Sequence, residues 1–334
     1  MKKIAMISLC MLLAASLLCG CVGTTVVVGD DCTCSGGGNQ SYVPKAGEVK
    51  TGLGILTAVS FADGKLTYNV LMAAVAVDEE GVITDCVIDG VSSDVTIADV
   101  KEGWAQEAKT KNELGNSYGM VAWGGAKYEW DRQAQNFADY VKGKTVQQVS
   151  GIAVTESGKP ADTDLSASVT IAIGDFKEVL RSAVDNAEYR GADSADELVL
   201  AATPALSGGN GFVQLDMDVT ALTRKDGTIT ACVIDALQAK AEFDGDGKVT
   251  TDLTAGFKTK NELAEGYGMV AWGGAKYEWY QQAENFANYV KGKTAAEVSG
   301  IAVSESGKPA DSDLSASVTI SIGGFRKLIE KAMK

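Results

Sequence analysis

Residues 118–130 read YGMVAWGGAKYEW, and the same letters return unchanged at residues 267–279. Around this block, residues 109–173 match residues 258–322 at a constant offset of 149, with 52 of 65 positions identical. A repeat of this length is typical of a duplicated domain and is too long for a solenoid unit. We therefore expect one fold in two copies, and two versions of any site that it carries.

The likeness continues upstream more weakly, where GVITDCVID at 81–89 aligns with GTITACVID at 227–235. The repeat places the first domain at 49–190 and the second at 205–334. Between them we expect a linker at 191–204, because that stretch is rich in small and polar residues. A chain of 334 residues is long enough for two domains.

Each copy is predicted to open with two strands around a turn. The β-rich runs lie at 66–77 and 82–90 in the first copy, and at 212–223 and 228–235 in the second.

Helices are expected to follow these strands. From Trp130, apolar residues recur at i, i+4, i+7, i+8 and i+11 and stop before Gly143, which predicts an amphipathic helix over 130–141. The pattern repeats at 279–290. We interpret the segment 170–187 as a helix too, although its β-branched start also allows a strand. The fold class is therefore α+β, in two tandem copies.

Composition excludes several kinds of function. The chain contains no histidine, so it holds no Ser-His-Asp triad and no His-ligated zinc. Its formal net charge of −14 argues against a nucleic-acid partner, because phosphate backbones are bound by clustered Lys and Arg. Redox or group-transfer chemistry would have to come from a cofactor.

The N-terminus resembles that of bacterial lipoproteins. Lys2 and Lys3 precede an apolar run that is too short for a comfortable membrane span, and the run ends in Leu18-Cys-Gly-Cys21, similar to a lipobox. The resemblance implies a signal peptide at 1–20 and a lipidated Cys21 that anchors the chain to the outer face of a cell membrane. The alternative is an uncleaved N-terminal helix.

A flexible tether is expected at 21–48, where Gly, Thr, Asp and Ser dominate. The role of Cys32 and Cys34, within this tether, stays open.

The candidate chemistry lies in residues 158–170, GKPADTDLSASVT, which recur as GKPADSDLSASVT at 307–319. This segment resembles the attachment motif of the FMN-binding domain family, whose members carry FMN through a phosphate ester to a hydroxyl side chain. That motif runs Asp, two variable residues, Ser or Thr, usually Gly, then Ala and the acceptor Ser or Thr. The resemblance implies two covalent FMN groups, one on Ser168 and one on Ser317.

The other motif positions are filled in each copy by an aspartate and an alanine: Asp162 with Ala167, and Asp311 with Ala316. Leu165 and Leu314 stand where the motif has Ser or Thr, and Ser166 and Ser315 replace its glycine. The alternative acceptors are Thr170 and Thr319. In the family, a magnesium-requiring flavin transferase takes FMN from FAD outside the membrane, and the two aspartates would be its recognition residues.

Both serines are expected to precede a helix, because a helix N-terminus offers free amides and a positive dipole end to a phosphate. The bland alternative is an ordinary capped helix that follows a loop.

The repeated Gly-rich loop supplies a second set of candidates: Tyr118, Met120 and Trp123, with Tyr267, Met269 and Trp272 in the other copy. Aromatic and Met side chains suit the flat faces of a flavin, but these residues are equally suited to packing. Trp130 and Trp279 fall on the helical stripe and are expected in the core.

Together these features resemble the flavinylated electron-transfer lipoproteins of Gram-positive bacteria, in some of which the signal peptide also yields a pheromone. The resemblance implies an extracellular electron carrier rather than an enzyme. A membrane quinone or NADH dehydrogenase system would reduce it, and external acceptors such as ferric iron would oxidise it. The alternatives are a cofactor-free binding or adhesion lipoprotein built on the repeats, and a flavin-dependent reductase for a soluble substrate.

Overall fold

The computed structural model describes residues 42–334, and Pro44–Lys334 form one compact unit. The predicted signal peptide, Cys21 and most of the tether, with Cys32 and Cys34, lie outside the described residues. Within the described part of the chain, no helix is both long and apolar enough to cross a membrane.

The first copy consists of five strands and five helices. In chain order they are β1 (Glu48–Ala62), β2 (Lys65–Val77), β3 (Ile83–Thr96), β4 (Trp104–Glu107), α1 (Lys111–Leu114), α2 (Trp130–Val141), α3 (Val146–Ser150), α4 (Thr163–Ser166), α5 (Gly174–Asp185) and β5 (Glu188–Asp193).

The second copy repeats the three long strands and the five helices. They are β6 (Glu197–Gly209), β7 (Phe212–Lys225), β8 (Thr228–Glu242), α6 (Lys260–Leu263), α7 (Trp279–Tyr289), α8 (Ala295–Ser299), α9 (Ser312–Ser315) and α10 (Gly323–Ala332).

The strands form two antiparallel sheets, with the orders β3-β2-β1-β5 and β4-β6-β7-β8. Each sheet is built on the three-stranded meander of one copy. The edge strand β4 crosses to the other sheet. It belongs to the first copy in sequence but pairs with β6 of the second, with Trp104 opposite Gly208. This pairing ties the two copies together through backbone hydrogen bonds.

The two sheets pack face to face, and buried side chains of both copies form one central core. Alternate residues of a strand point to opposite faces, so Met72 of β2 and Met217 of β7 enter this core while their neighbours face the helices. The hydroxyl of the fully buried Tyr68 donates to the carbonyl of Val213 in the opposite sheet at 3.0 Å.

The outer face of each sheet is covered by the helices of its own copy. Phe137 of α2 and Phe176 of α5 meet with ring centroids 5.3 Å apart, and Phe286 and Phe325 repeat the contact at 5.2 Å. The layers therefore run helix, sheet, sheet, helix.

The helix predictions and the α+β class are confirmed. α2 ends at Val141, and Gly143 follows with φ +78°, which suits a glycine just past a helix end. The segment that allowed a helix or a strand contains the helix α5. Its apolar side is buried: Ile173, Phe176, Leu180 and Ala183.

Two strand predictions are corrected. Each copy opens with three long strands and not two, because β1 and β6 precede the predicted pairs. The residues expected as a linker, 191–204, lie largely in β5 and β6. Although this stretch is small and polar in composition, the strand alternation places Leu198 and Ala202 in the central core.

Candidate functional site

The motif segment is a loop pinned to the protein by backbone bonds. The amide of Gly158, whose φ is +75°, donates to the carbonyl of Thr155 at 2.9 Å, and the amide of Ala161 donates to the carbonyl of Ala153 at 3.0 Å. The chain then enters α4. Asp162 caps this helix, since its Oδ1 accepts from the amides of Asp164 and Leu165, both at 3.0 Å. Asp311 caps α9 in the same way.

Ser168 lies between two buried apolar residues, Leu165 and Val169. Leu165 is 1% exposed and Val169 is fully buried, whereas Ala167 is exposed and Ser168 is half-buried. The Ser168 hydroxyl makes one long bond, donated to the carbonyl of Leu165 at 3.4 Å. The leucine that departs from the family motif is thus a packing residue that fixes the serine at the surface.

Ser168 precedes a helix, as expected, but it does not lie at a helix N-terminus. α4 ends before the serine and α5 begins only at Gly174. The amides at the start of α4 are already occupied by Asp162, so they offer no seat to a phosphate. The second copy repeats this arrangement, with Ser317 between α9 and α10.

Thr170 differs from Ser168 because its hydroxyl is engaged. Both the amide and the hydroxyl of Thr170 donate to Gln133 Oε1, at 2.7 and 3.1 Å. Gln133 is fully buried on α2, and its Nε2 donates to the carbonyl of Tyr128 at 2.9 Å. Modifying the Thr170 hydroxyl would remove one of the two hydrogen bonds that this buried amide oxygen accepts. Thr319 and Gln282 make the same contacts.

The Gly-rich loop is held by a buried carboxylate. Glu129 is 8% exposed and accepts from the amides of Met120 and Val121 at 2.8 and 3.1 Å. Trp123 closes the turn, and its indole lies on Gly119, where an added Cβ would fall 2.3 Å from the ring. The indole nevertheless stays 83% exposed.

The other aromatic residues of this region are less exposed. Trp130 is 6% exposed and meets Phe176 edge-to-face at 5.7 Å, which confirms its expected core position. Trp279 repeats the contact. Tyr118 and Met120 are half-buried against the same core, so they combine a packing role with a partly open surface.

Two lysines of the repeat complete the site, although sequence reasoning missed them. Lys127 donates from Nζ to the carbonyl of Ala167 at 3.1 Å, which brings the Gly-rich loop next to the motif serine. Lys276 makes the same contact to Ala316 at 3.3 Å. Their signal in the sequence is their place inside the unchanged thirteen-residue block.

Tyr118 and Trp130, with Tyr267 and Trp279 in the second copy, form a surface that we call the aromatic wall, and Lys111 lies against its first-copy rings. Its ammonium lies 5.1 Å from the ring centroid of Tyr118 and 4.8 Å from that of Trp130. Lys260 lies 4.9 Å from both Tyr267 and Trp279 in the second copy.

A buried aspartate fixes the helix that carries Lys111. Asp89 Oδ1 accepts from the amides of Gly90 and Asn112 at 2.7 and 3.0 Å, which fastens α1 to β3. Burial raises the pKa of Asp89 to about 6, and burial raises that of Asp235, its counterpart, to about 6 as well. The repeated Val-Ile-Asp sequence marks both residues.

Comparisons with protein-family models, curated proteins and solved structures give no match to this chain. The chemistry is therefore inferred from the site's own residues.

In each copy a lysine of the Gly-rich loop joins that loop to the motif segment. A half-exposed serine hydroxyl lies on a pinned loop, and the ammonium of Lys127 is bonded to the preceding residue. A phosphate ester requires an accessible hydroxyl, and a nearby ammonium compensates its negative charge. Within residues 42–334, no group of three or more acidic or Cys side chains is arranged to hold a metal ion.

Proposed function

We propose that this protein is a membrane-anchored extracellular electron carrier with two covalent FMN groups, esterified to Ser168 and Ser317. The observation that carries the proposal is a half-buried serine whose hydroxyl makes one bond of 3.4 Å and whose preceding residue binds a lysine ammonium, present twice in the same setting. When bound, FMN supplies reversible two-electron chemistry.

The residues of each copy suit such a group. Lys127 would pair with the phosphate, and the exposed indole of Trp123 offers a flat apolar face to a flavin ring. Tyr118 and Met120 would exclude water from one side of the ring. The engaged hydroxyl of Thr170 supports Ser168 as the acceptor in preference to the threonine.

The remaining parts of the proposal follow the family resemblance. A flavin transferase that uses FAD and magnesium would attach both groups. Lipidation of Cys21 would hold the protein at the outer face of the membrane, where a quinone or NADH dehydrogenase system reduces it. Ferric iron is an example of the external acceptor. In this role the protein is a carrier and not an enzyme with its own substrate.

The rival function is that of a cofactor-free binding or adhesion lipoprotein. The observation in its favour is the pair of exposed apolar loops, with Trp123 and Trp272 both 83% exposed and Val121 and Val270 both 45% exposed. Large apolar side chains exposed on a loop also suit contact with another protein.

Intact mass and visible absorption separate the two functions. Co-production with a flavin transferase should yield a yellow protein that carries the added mass of two FMN groups. Ser168→Ala and Ser317→Ala should each remove one. Thr170→Val is the matched control and should keep both. A colourless protein without added mass would refute the carrier function.

A further inference from the structure

The two copies differ in charge on the strand beneath the aromatic wall. Strand register equates the positions, since Leu71 lies opposite Gly90 in the first copy and Asp218 lies opposite Ala236 in the second. Gly90 and Ala236 each follow the buried aspartate that fastens α1 or α6. Asp218 therefore stands where the first copy has a leucine.

The same strand carries a second difference two residues earlier. Asp216 of the second copy occupies the position of Asn69 in the first. In the second copy Gln238 donates to Asp216 at 3.0 Å and accepts from the hydroxyl of Tyr267 at 2.7 Å. The acidic strand is therefore connected to the aromatic wall.

Asp218 is close to the charged side of that wall. In the first copy, Leu71 and the stem of Lys111 both lie about Gly90, where an added Cβ would fall 3.6 and 3.5 Å from them. In the second copy the corresponding lysine, Lys260, lies over Tyr267. Burial raises the pKa of Asp218, Lys260 opposes this rise, and Asp216 adds to it.

Another charge difference between the copies lies at an exposed position. Asp175 stands at the start of α5 where α10 has Gly324, but Asp175 is exposed and water screens its charge. A Cβ at Gly324 would lie 2.6 Å from the Asp218 carboxylate, so the half-buried Asp218 lies against the start of α10. The short 3₁₀ turns Gly115–Tyr118 and Ala264–Tyr267 follow α1 and α6, and they lie beside Asp131 in the first copy and contain Glu265 in the second.

We infer that the two sites are electrically inequivalent, and that Asp218 and Asp216 lower the reduction potential of the group on Ser317 below that of the group on Ser168. The inference rests on the proposed function. Reduction places negative charge on a flavin, and half-buried carboxylates such as those of Asp216 and Asp218 oppose that charge more strongly than exposed ones. Electrons would therefore pass from the second site to the first. The electron pair and protons lost by one group are gained by the other, so one is oxidised as the other is reduced.

Single-flavin proteins test the inference. In Ser168→Ala only the second site can carry FMN, and in Ser317→Ala only the first can. Mass and absorption should confirm one FMN in each protein. Potentiometric titration should show at least a tenfold preference for reduction of the first site, which is about 30 mV for a two-electron couple. Asp218→Leu, or the gentler Asp218→Asn, should reduce this difference, and Leu71→Asp should lower the potential of the first site. Asp175→Asn is the control and should change little.

The outcomes are distinct. Equal potentials in flavin-bearing proteins, or a difference that survives both Asp218 substitutions, would overturn this inference and leave the carrier function intact. Absence of FMN mass would refute the carrier function itself.

Discussion

Replacing Asp89 by Asn should change how the stability of the fold depends on pH. Asp89 is 6% exposed, and burial raises its pKa from the ordinary 3.8 to about 6. Folding therefore favours the protonated carboxyl. Because the folded pKa is raised, the favourable contribution is complete below pH 4 and is lost as the pH rises through 6.

The size of the effect follows from that interval. It spans roughly two pH units, and at about 1.36 kcal/mol per unit it corresponds to about 3 kcal/mol in the free energy of unfolding. Asn cannot ionise but keeps an oxygen for the amides of Gly90 and Asn112. The Asn variant should thus match the parent near pH 4 and exceed its stability by up to about 3 kcal/mol at pH 7.

The assay is urea unfolding at several pH values between 4 and 7, read as the difference between variant and parent. Taking the difference cancels the contributions of carboxylates that do not interact with Asp89. Asp235→Asn should behave in the same way, and the double variant should show about twice the effect. Asp63→Asn, at an exposed turn, is the control. A constant difference between the curves from pH 4 to 7 would refute the reasoning.

Three further predictions concern the site. Leu165→Ala should cost about 2–5 kcal/mol in urea unfolding because it leaves a cavity under the motif serine, and a loss below 1 kcal/mol would contradict its anchoring role. Gly119→Ala should displace the indole of Trp123 and shift its fluorescence, whereas Gly125→Ala, in open space at a similar positive φ, should not. Thr170→Val should cost about 0.5–1.5 kcal/mol, because it removes the hydroxyl bond to Gln133 while the backbone amide of residue 170 keeps its own bond to the same oxygen. Unchanged stability would contradict that bond.

The Gly-rich loop and the helix after it show how much of the structure local sequence predicts. The apolar stripe from Trp130 predicts α2 and its burial, because a period of 3.6 residues places one face against a sheet whatever that sheet is. The motif serine and the Gly-rich loop were chosen from their repetition, and Trp123, expected to pack or to line a pocket, is 83% exposed. Their contact through Lys127 was not predictable, because the bond to Ala167 joins residues 40 positions apart.

By itself, the sequence determined the duplication, the helices, two strands of each meander and the residues of a candidate site, because each depends on short-range periodicity or on identity between the copies. Only the tertiary structure decided that β4 crosses to the other sheet and that one core is shared. It also decided that Thr170 is tied to a buried glutamine and that Asp218 replaces a leucine beneath the second aromatic wall. Such features depend on contacts between segments that are distant in the sequence. These contacts produce no periodic pattern of residue types from which they could be predicted.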